Sequence, residues 1–190
     1  MRHIFSFAIT LCVIGAPGSV AIHAQEQPAD EESQLVRDMH DLMNIVLAMH
    51  LFAADHDGLL PGSLGETLPY IEDRTSWTDA ERPKATPADK ARLYLSSHDE
   101  DQKEIPEQVT SAWIDEHTSY TYLTKPNAKL KDLPDRRKTV LVHGSLDHGY
   151  TTNSENGQTI TRYPLAMVDS HAESHPKEEC RKMLDASGRK

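Results

Sequence analysis

Ser33-Gln34-Leu35-Val36-Arg37-Asp38-Met39-His40-Asp41-Leu42-Met43-Asn44-Ile45-Val46-Leu47-Ala48-Met49-His50-Leu51-Phe52-Ala53-Ala54-Asp55 holds the clearest periodic signal in the chain. Leu35, Met39, Leu42, Val46, Met49 and Ala53 recur at alternating steps of four and three, and Ile45, Leu47 and Phe52 widen the stripe. That spacing puts one apolar face along an α-helix, whose turn holds 3.6 residues. The reading is an amphipathic helix from about Ser33 to about Asp55, capped by Ser33 and favoured at its positive end by the acidic residues before it. Asp57-Gly58 ends it, because glycine tolerates the left-handed conformation a helix terminus needs. His40, Asp41 and His50 are expected on its wet face.

Downstream the pattern changes. Pro61-Gly62 marks a turn, and Ser63 followed by Glu66 has capping-box spacing, which predicts one helical turn before Pro69. Residues 72 to 118 form an irregular insertion. Within it Thr86-Pro87-Ala88-Asp89 opens a short helix, His98-Asp99-Glu100-Asp101 reads as a solvated acidic loop, and a second short helix follows Pro106. Residues 119 to 123 alternate and are rich in strand formers, and 139 to 143 and 163 to 168 read as a second and a third strand. Thr-rich arms around Asn156-Gly157 predict a hairpin. A short strand over 171 to 174 and a last helix over 176 to 184 close the chain. The fold class is α+β: one long N-terminal amphipathic helix packed on a small antiparallel sheet.

Upstream, Arg2-His3 precedes an apolar run from Ile4 to Ala16, broken by Pro17-Gly18 and ending at small Ala24 before polar Gln25. That is the layout of a signal peptide over residues 1 to 24, too short in its apolar part to span a bilayer. A disordered leader over 25 to 32, an α+β domain over 33 to 184 and a frayed tail over 185 to 190 complete the organisation. Export leaves about 166 of the 190 residues, one domain's worth, and no second run apolar enough for a membrane span. The expected location is extracytoplasmic, the periplasm or beyond. The formal charge of −10, which becomes −11 without Arg2, repels phosphate backbones and argues against a nucleic-acid partner. Of the two cysteines, Cys12 leaves with the signal, so Cys180 has no intramolecular partner.

Two segments resemble pilin-like proteins related to type II secretion pseudopilins. Asn44 to Pro61, with its Asp55-His56-Asp57-Gly58 turn and Leu60-Pro61, is similar to the family's helix-to-loop passage, and Leu64, Leu68, Pro69, Tyr70 and Ile71 continue it. Met167-Val168-Asp169-Ser170-His171-Ala172-Glu173-Ser174 resembles the closing hairpin, usually F-x-D-G-H-V-x-W, and Ser119-Tyr120-Thr121-Tyr122-Leu123 the S-Y-x-Y-L strand. Ser170 stands where the family has glycine. The prepilin leader, its cleavage glycine and its anchoring helix are replaced by the signal sequence. The resemblance therefore implies the pilin-like globular fold, a helix lying on an antiparallel sheet, without an apolar stalk for filament assembly.

The chemistry-bearing residues collect near the C-terminus. His143, Asp147, His148, Asp169 and His171 are candidate metal ligands, since imidazole and carboxylate bind zinc and Asp147 and Asp169 could serve calcium. No H-E-x-x-H, paired C-x-x-C, G-x-S-x-G or phosphate-cradling glycine loop is present. The expectation is a non-enzymatic binding or assembly protein with no cofactor, working with a protein partner or by self-assembly, in a type II secretion-like setting. The alternative is a periplasmic metal-dependent hydrolase using the C-terminal histidines and aspartates.

Overall fold

The computed structural model describes residues 30–71, 85–99, 105–125, 127–154 and 156–188. The signal peptide, most of the leader and residues 72–84 and 100–104 of the insertion lie outside the described residues.

Helix α1 runs Glu31–Asp55. Its cap is Asp30 rather than Ser33: the Asp30 carboxylate accepts the Ser33 backbone N–H at 2.7 Å. Glu31 and Glu32, assigned to a disordered leader by sequence, form its first turn, where negative charge meets the positive helix end. Asp57 and Gly58, both at positive φ, turn the chain away. The predicted capping box at Ser63 is not made. Instead a 3-10 turn, Gly65–Tyr70, runs through Pro69, and Glu66 accepts from the Gly62 N–H at 2.8 Å. A short helix α2, Pro87–Ala91, opens at the expected Thr86-Pro87-Ala88-Asp89, where Thr86 and Asp89 form a capping box, and runs into a 3-10 turn, Arg92–Tyr94. Helix α3, Ser111–His117, is capped by Thr110.

Among the described residues the sheet has five strands: β1 Thr121–Tyr122, β2 Val140–His143, β3 Tyr150–Asn153, β4 Thr159–Met167 and β5 Ala172–His175. All pairings are antiparallel. Strand β4 is the spine. Its first half pairs with β3 across the Asn156-Gly157 turn, and its second half with β2 and β5. Helix α4, Lys177–Ala186, follows β5 and reaches into the stretch read as tail.

The two faces of the sheet are separately covered. Leu42, Ile45, Val46 and Met49 of α1 pack with Tyr120, Leu141, Ala166 and Val168. On the other face Tyr163, Leu165 and Met167 of β4 alternate with those residues and pack against Cys180 and Leu184 of α4. Leu165 thus lies under α4, on the face away from α1. Double coverage explains why all four residues of β2 are buried rather than alternating. Among the described residues no helix is long and apolar enough to cross a membrane.

The wet face of α1 is narrower than its sequence implies. Asp38 is 1% exposed and Asp41 7%, and the His50 ring nitrogen Nε2 donates to the Val168 carbonyl at 2.6 Å. Only His40 of the expected polar trio is exposed. Asp38 lies three residues after Leu35 and four before Leu42, inside the apolar stripe, so burying the stripe buries its carboxylate.

Candidate functional site

The buried Asp38 organises a cleft. Its Oδ1 accepts the Ser97 backbone N–H at 2.9 Å and the Ser97 hydroxyl at 2.7 Å. Its Oδ2 accepts the Ser96 hydroxyl at 2.8 Å and the hydroxyl of Tyr150, the first residue of β3. Four donors around one carboxylate compensate its removal from water. They also tie the N-terminal third of α1 to the turn after the Arg92–Tyr94 helix and to the sheet. Burial, reinforced by the Asp38 carboxylate, pushes the Tyr150 phenol far above its ordinary range.

The rest of the cleft is built onto that knot. The Ser119 hydroxyl, just before β1, donates to Asp99 and accepts the Ser96 N–H at 2.8 Å. The His98 ring stacks on Tyr150 with centroids 4.3 Å apart and planes inclined by 28°. The loop leaving β2 supplies Gly144, Ser145 and His148, and Pro164 of β4 adds a wall. Together they enclose about 300 Å³, the lower end of the range for small-ligand sites. The 98–101 stretch is therefore not simply a solvated loop: His98 and Asp99 both face this cleft, while residues 100–101 lie outside the described residues. The Ser96, Ser119 and Tyr150 hydroxyls direct their protons to Asp38 or Asp99.

Two further groups lie close to the same knot. Burial drives the Asp41 carboxyl up to about 7, against the pull of Arg37 at 3.8 Å and with the push of Asp38. The Tyr120 hydroxyl is buried and finds no hydrogen-bond partner among the described residues.

The five candidate metal ligands are not brought together. His143 is buried in β2, with Nδ1 donating to the Gly144 carbonyl at 2.6 Å. Asp147 is exposed and lies 3.6 Å from Lys177. His148 lines the cleft. Asp169 and His171 sit in the closing turn, beside a separate groove shared with Arg137 and Lys182. Among the described residues no group of three His, Cys, Asp or Glu side chains is arranged to hold a metal ion.

Asp169 and His171 instead begin a ladder of alternating acids and imidazoles. His171 Nδ1 meets Asp169, and its Nε2 meets Glu173 at 2.9 Å. His175 Nε2 meets the other Glu173 oxygen at 2.7 Å, and its Nδ1 meets Glu179 of α4 at 3.1 Å. Each ring has carboxylates at both nitrogens. Burial lowers the His171 value, but the hydrogen bonds it makes to the Asp169 and Glu173 carboxylates prevail and raise it overall. The ladder fastens the strand to the last helix.

Sequence reasoning missed Asp38, Ser96 and Tyr150 as site residues. The signal for Asp38 was present: a carboxylate within an apolar helical stripe must find donors or stay out of the core. Ser96 and Tyr150 carry no comparable mark. A scan of the chain against protein-family models finds no match, and searches among curated proteins and solved structures also return none.

Proposed function

We propose that this chain is an exported, pilin-like extracytoplasmic protein that acts by binding rather than by catalysis, with the Asp38–Tyr150 cleft as its recognition site. The observation that carries the reading is the rigid, polar-lined 300 Å³ cleft whose hydroxyl protons are already committed to carboxylates. A prepaid network of this kind favours recognition, since little order remains to be imposed when a ligand arrives. A long helix on an antiparallel sheet, closed by an Asp169–His171 turn, agrees with the resemblance to pilin-like proteins. That resemblance makes a type II secretion-like assembly the setting in which the binding serves.

The test pairs a binding screen with a turnover screen. The purified chain is scanned against a library of small metabolites by thermal shift and by backbone amide chemical shifts. Saturable ligands that move the Gly144 and Tyr150 amides, and whose effect is lost in His148→Ala, are the expected result. In parallel, chromogenic esters, phosphate esters and peptides are offered with and without a chelator. Turnover abolished by His148→Ala or by chelation would replace the binding reading with the metal-dependent hydrolase.

A further inference from the structure

We propose that the groove between the 137–138 loop, the closing strand β5 and helix α4 takes an acidic peptide segment of a partner protein, held through its carboxylates. This surface is separate from the Asp38–Tyr150 cleft and does not depend on it. The chain carries a formal net charge of −10, yet between Lys125 and Lys138 it sets six lysines and arginines against two aspartates. The fold brings Arg137 and Lys138, at the end of that run, to the same groove as Lys182 of α4, a space of about 820 Å³. Arg189 and Lys190, which follow the described part of the tail, carry the same sign.

The sign of the ligand follows from the donors and acceptors of the groove. Its two acids are already engaged. Asp169 faces His171 and lies 3.8 Å from Arg137, while Glu173 gives one oxygen to His171 at 2.9 Å and the other to His175 at 2.7 Å. Its three bases are held more loosely. Among the described residues Arg137 has that 3.8 Å contact, Lys138 a 3.6 Å contact to Asp135, and Lys182 no ion pair. The Arg137 and Lys138 side chains are 86% and 84% exposed, and long contacts between exposed charges contribute little and exchange freely. The groove thus offers N–H donors lacking close acceptors beside acceptors already in use, which suits an acceptor-rich anion. A guanidinium matches a carboxylate with two parallel hydrogen bonds. Met183, partly buried, and the methylene stems of the basic side chains give apolar area to the residues flanking such a carboxylate. The volume exceeds the need of one carboxylate and fits an extended segment of a few residues. An anionic bilayer fits less well, because a flat surface would meet the acidic remainder of the chain along with the groove.

Fluorescence polarisation on the full folded chain tests the proposal with three labelled pentapeptides: alternating glutamate and leucine, the same with glutamine for glutamate, and the same with lysine. The glutamate peptide is expected to saturate one site and to bind at least about tenfold more tightly than the glutamine peptide, with no saturable binding of the lysine peptide. Raising the ionic strength from about 0.05 to about 0.5 M should weaken it several-fold. Lys182→Glu and Arg137→Glu should each weaken it by at least about tenfold. Arg92→Glu makes the same change of charge at an exposed position of the Arg92–Tyr94 turn and should leave binding within about twofold of wild type. Circular dichroism checks that each variant is folded. Should Arg137→Glu disturb the closing turn through Asp169, Lys182→Glu, exposed on α4, still decides the matter. Equal weakening by Arg92→Glu, equal binding of the glutamine peptide, or no saturable binding of the glutamate peptide each overturns the proposal. Phosphatidylglycerol vesicles that bind the wild type but not Lys182→Glu, and that the glutamate peptide does not displace, assign the groove to a lipid surface and overturn it too. Self-association in the ultracentrifuge that Lys182→Glu abolishes and the glutamate peptide does not reverse assigns it to a second copy, with the same consequence.

Discussion

Replacing Asp38 with alanine tests whether its carboxylate is the knot that holds the insertion onto the helix. The substitution removes the acceptor of four hydrogen bonds, from Tyr150, Ser96 and both the backbone and hydroxyl of Ser97. Hydrogen bonds to a charged acceptor are worth about 1.5–3 kcal/mol each, but the four cannot simply be added. The Ser96 and Tyr150 hydroxyls line the cleft and can turn to water, whereas the Ser97 N–H is fixed by the backbone. A net loss of about 3–5 kcal/mol is therefore expected, the size seen when a buried charge network is broken. In a domain of this size that lowers the thermal midpoint by roughly 10 °C. Asp38→Asn keeps one oxygen for Ser97, and the Ser96 and Tyr150 hydroxyls can reverse to accept from the new amide, so about 1–2 kcal/mol is lost. Urea unfolding followed by circular dichroism measures both. A cost within about 1 kcal/mol of wild type for Asp38→Ala would refute the reasoning, because the turn would then be held by something else.

The other predictions concern pH and packing. Asp41, with its carboxyl raised to about 7 in the fold, holds a proton there that the unfolded chain has released, so stability falls as pH rises from about 4 to about 7. His171, also raised, adds stability that is lost above its unfolded value, while Asp169 and Glu173, both lowered, lose theirs on acidification. Urea midpoints should peak near pH 5, and Asp41→Asn should flatten the alkaline side and stabilise the protein at pH 8 by a few kcal/mol. Tyr120→Phe removes a hydroxyl with no partner among the described residues and should cost less than about 0.5 kcal/mol or be stabilising by the same assay. Gly65→Ala would place its Cβ 2.1 Å from the Ser111 carbonyl oxygen and should cost about 3 kcal/mol or more, read as a lowered thermal midpoint. Ser170 holds a left-handed φ of 69° in the closing turn, so Ser170→Gly should raise that midpoint through a gain of about 0.5–1 kcal/mol.

The fold class was legible because its main elements announce themselves locally. The stripe from Leu35 to Ala53 and the Asn156-Gly157 turn each follow from nearest-neighbour spacing, and both stand where the pattern puts them. Strand faces were less legible. Leu165 reads equally well toward either face until the position of α4 is known, and a register shift between Val140 and Val142 breaks the simple alternation of β2. The cleft was the least legible part. It joins Asp38 to Ser96 and Tyr150, 58 and 112 positions away along the chain. No local pattern encodes such pairings. His148 was singled out for its neighbours in sequence, and it lies beside a different set in space.

Cys180 has a consequence for handling the protein. Its sulfur is sealed under α4, and burial pushes the thiol up to about 11, so it is neither accessible nor appreciably ionised at neutral pH. In a chain lacking residues 1–24 it would be the only cysteine. Reductant in the buffer is then irrelevant to the native state, and a disulfide-linked dimer on a non-reducing gel records a molecule that has opened. Labelling of this one thiol with a small maleimide is accordingly a clock for unfolding, readable in crude fractions without any knowledge of what the cleft binds.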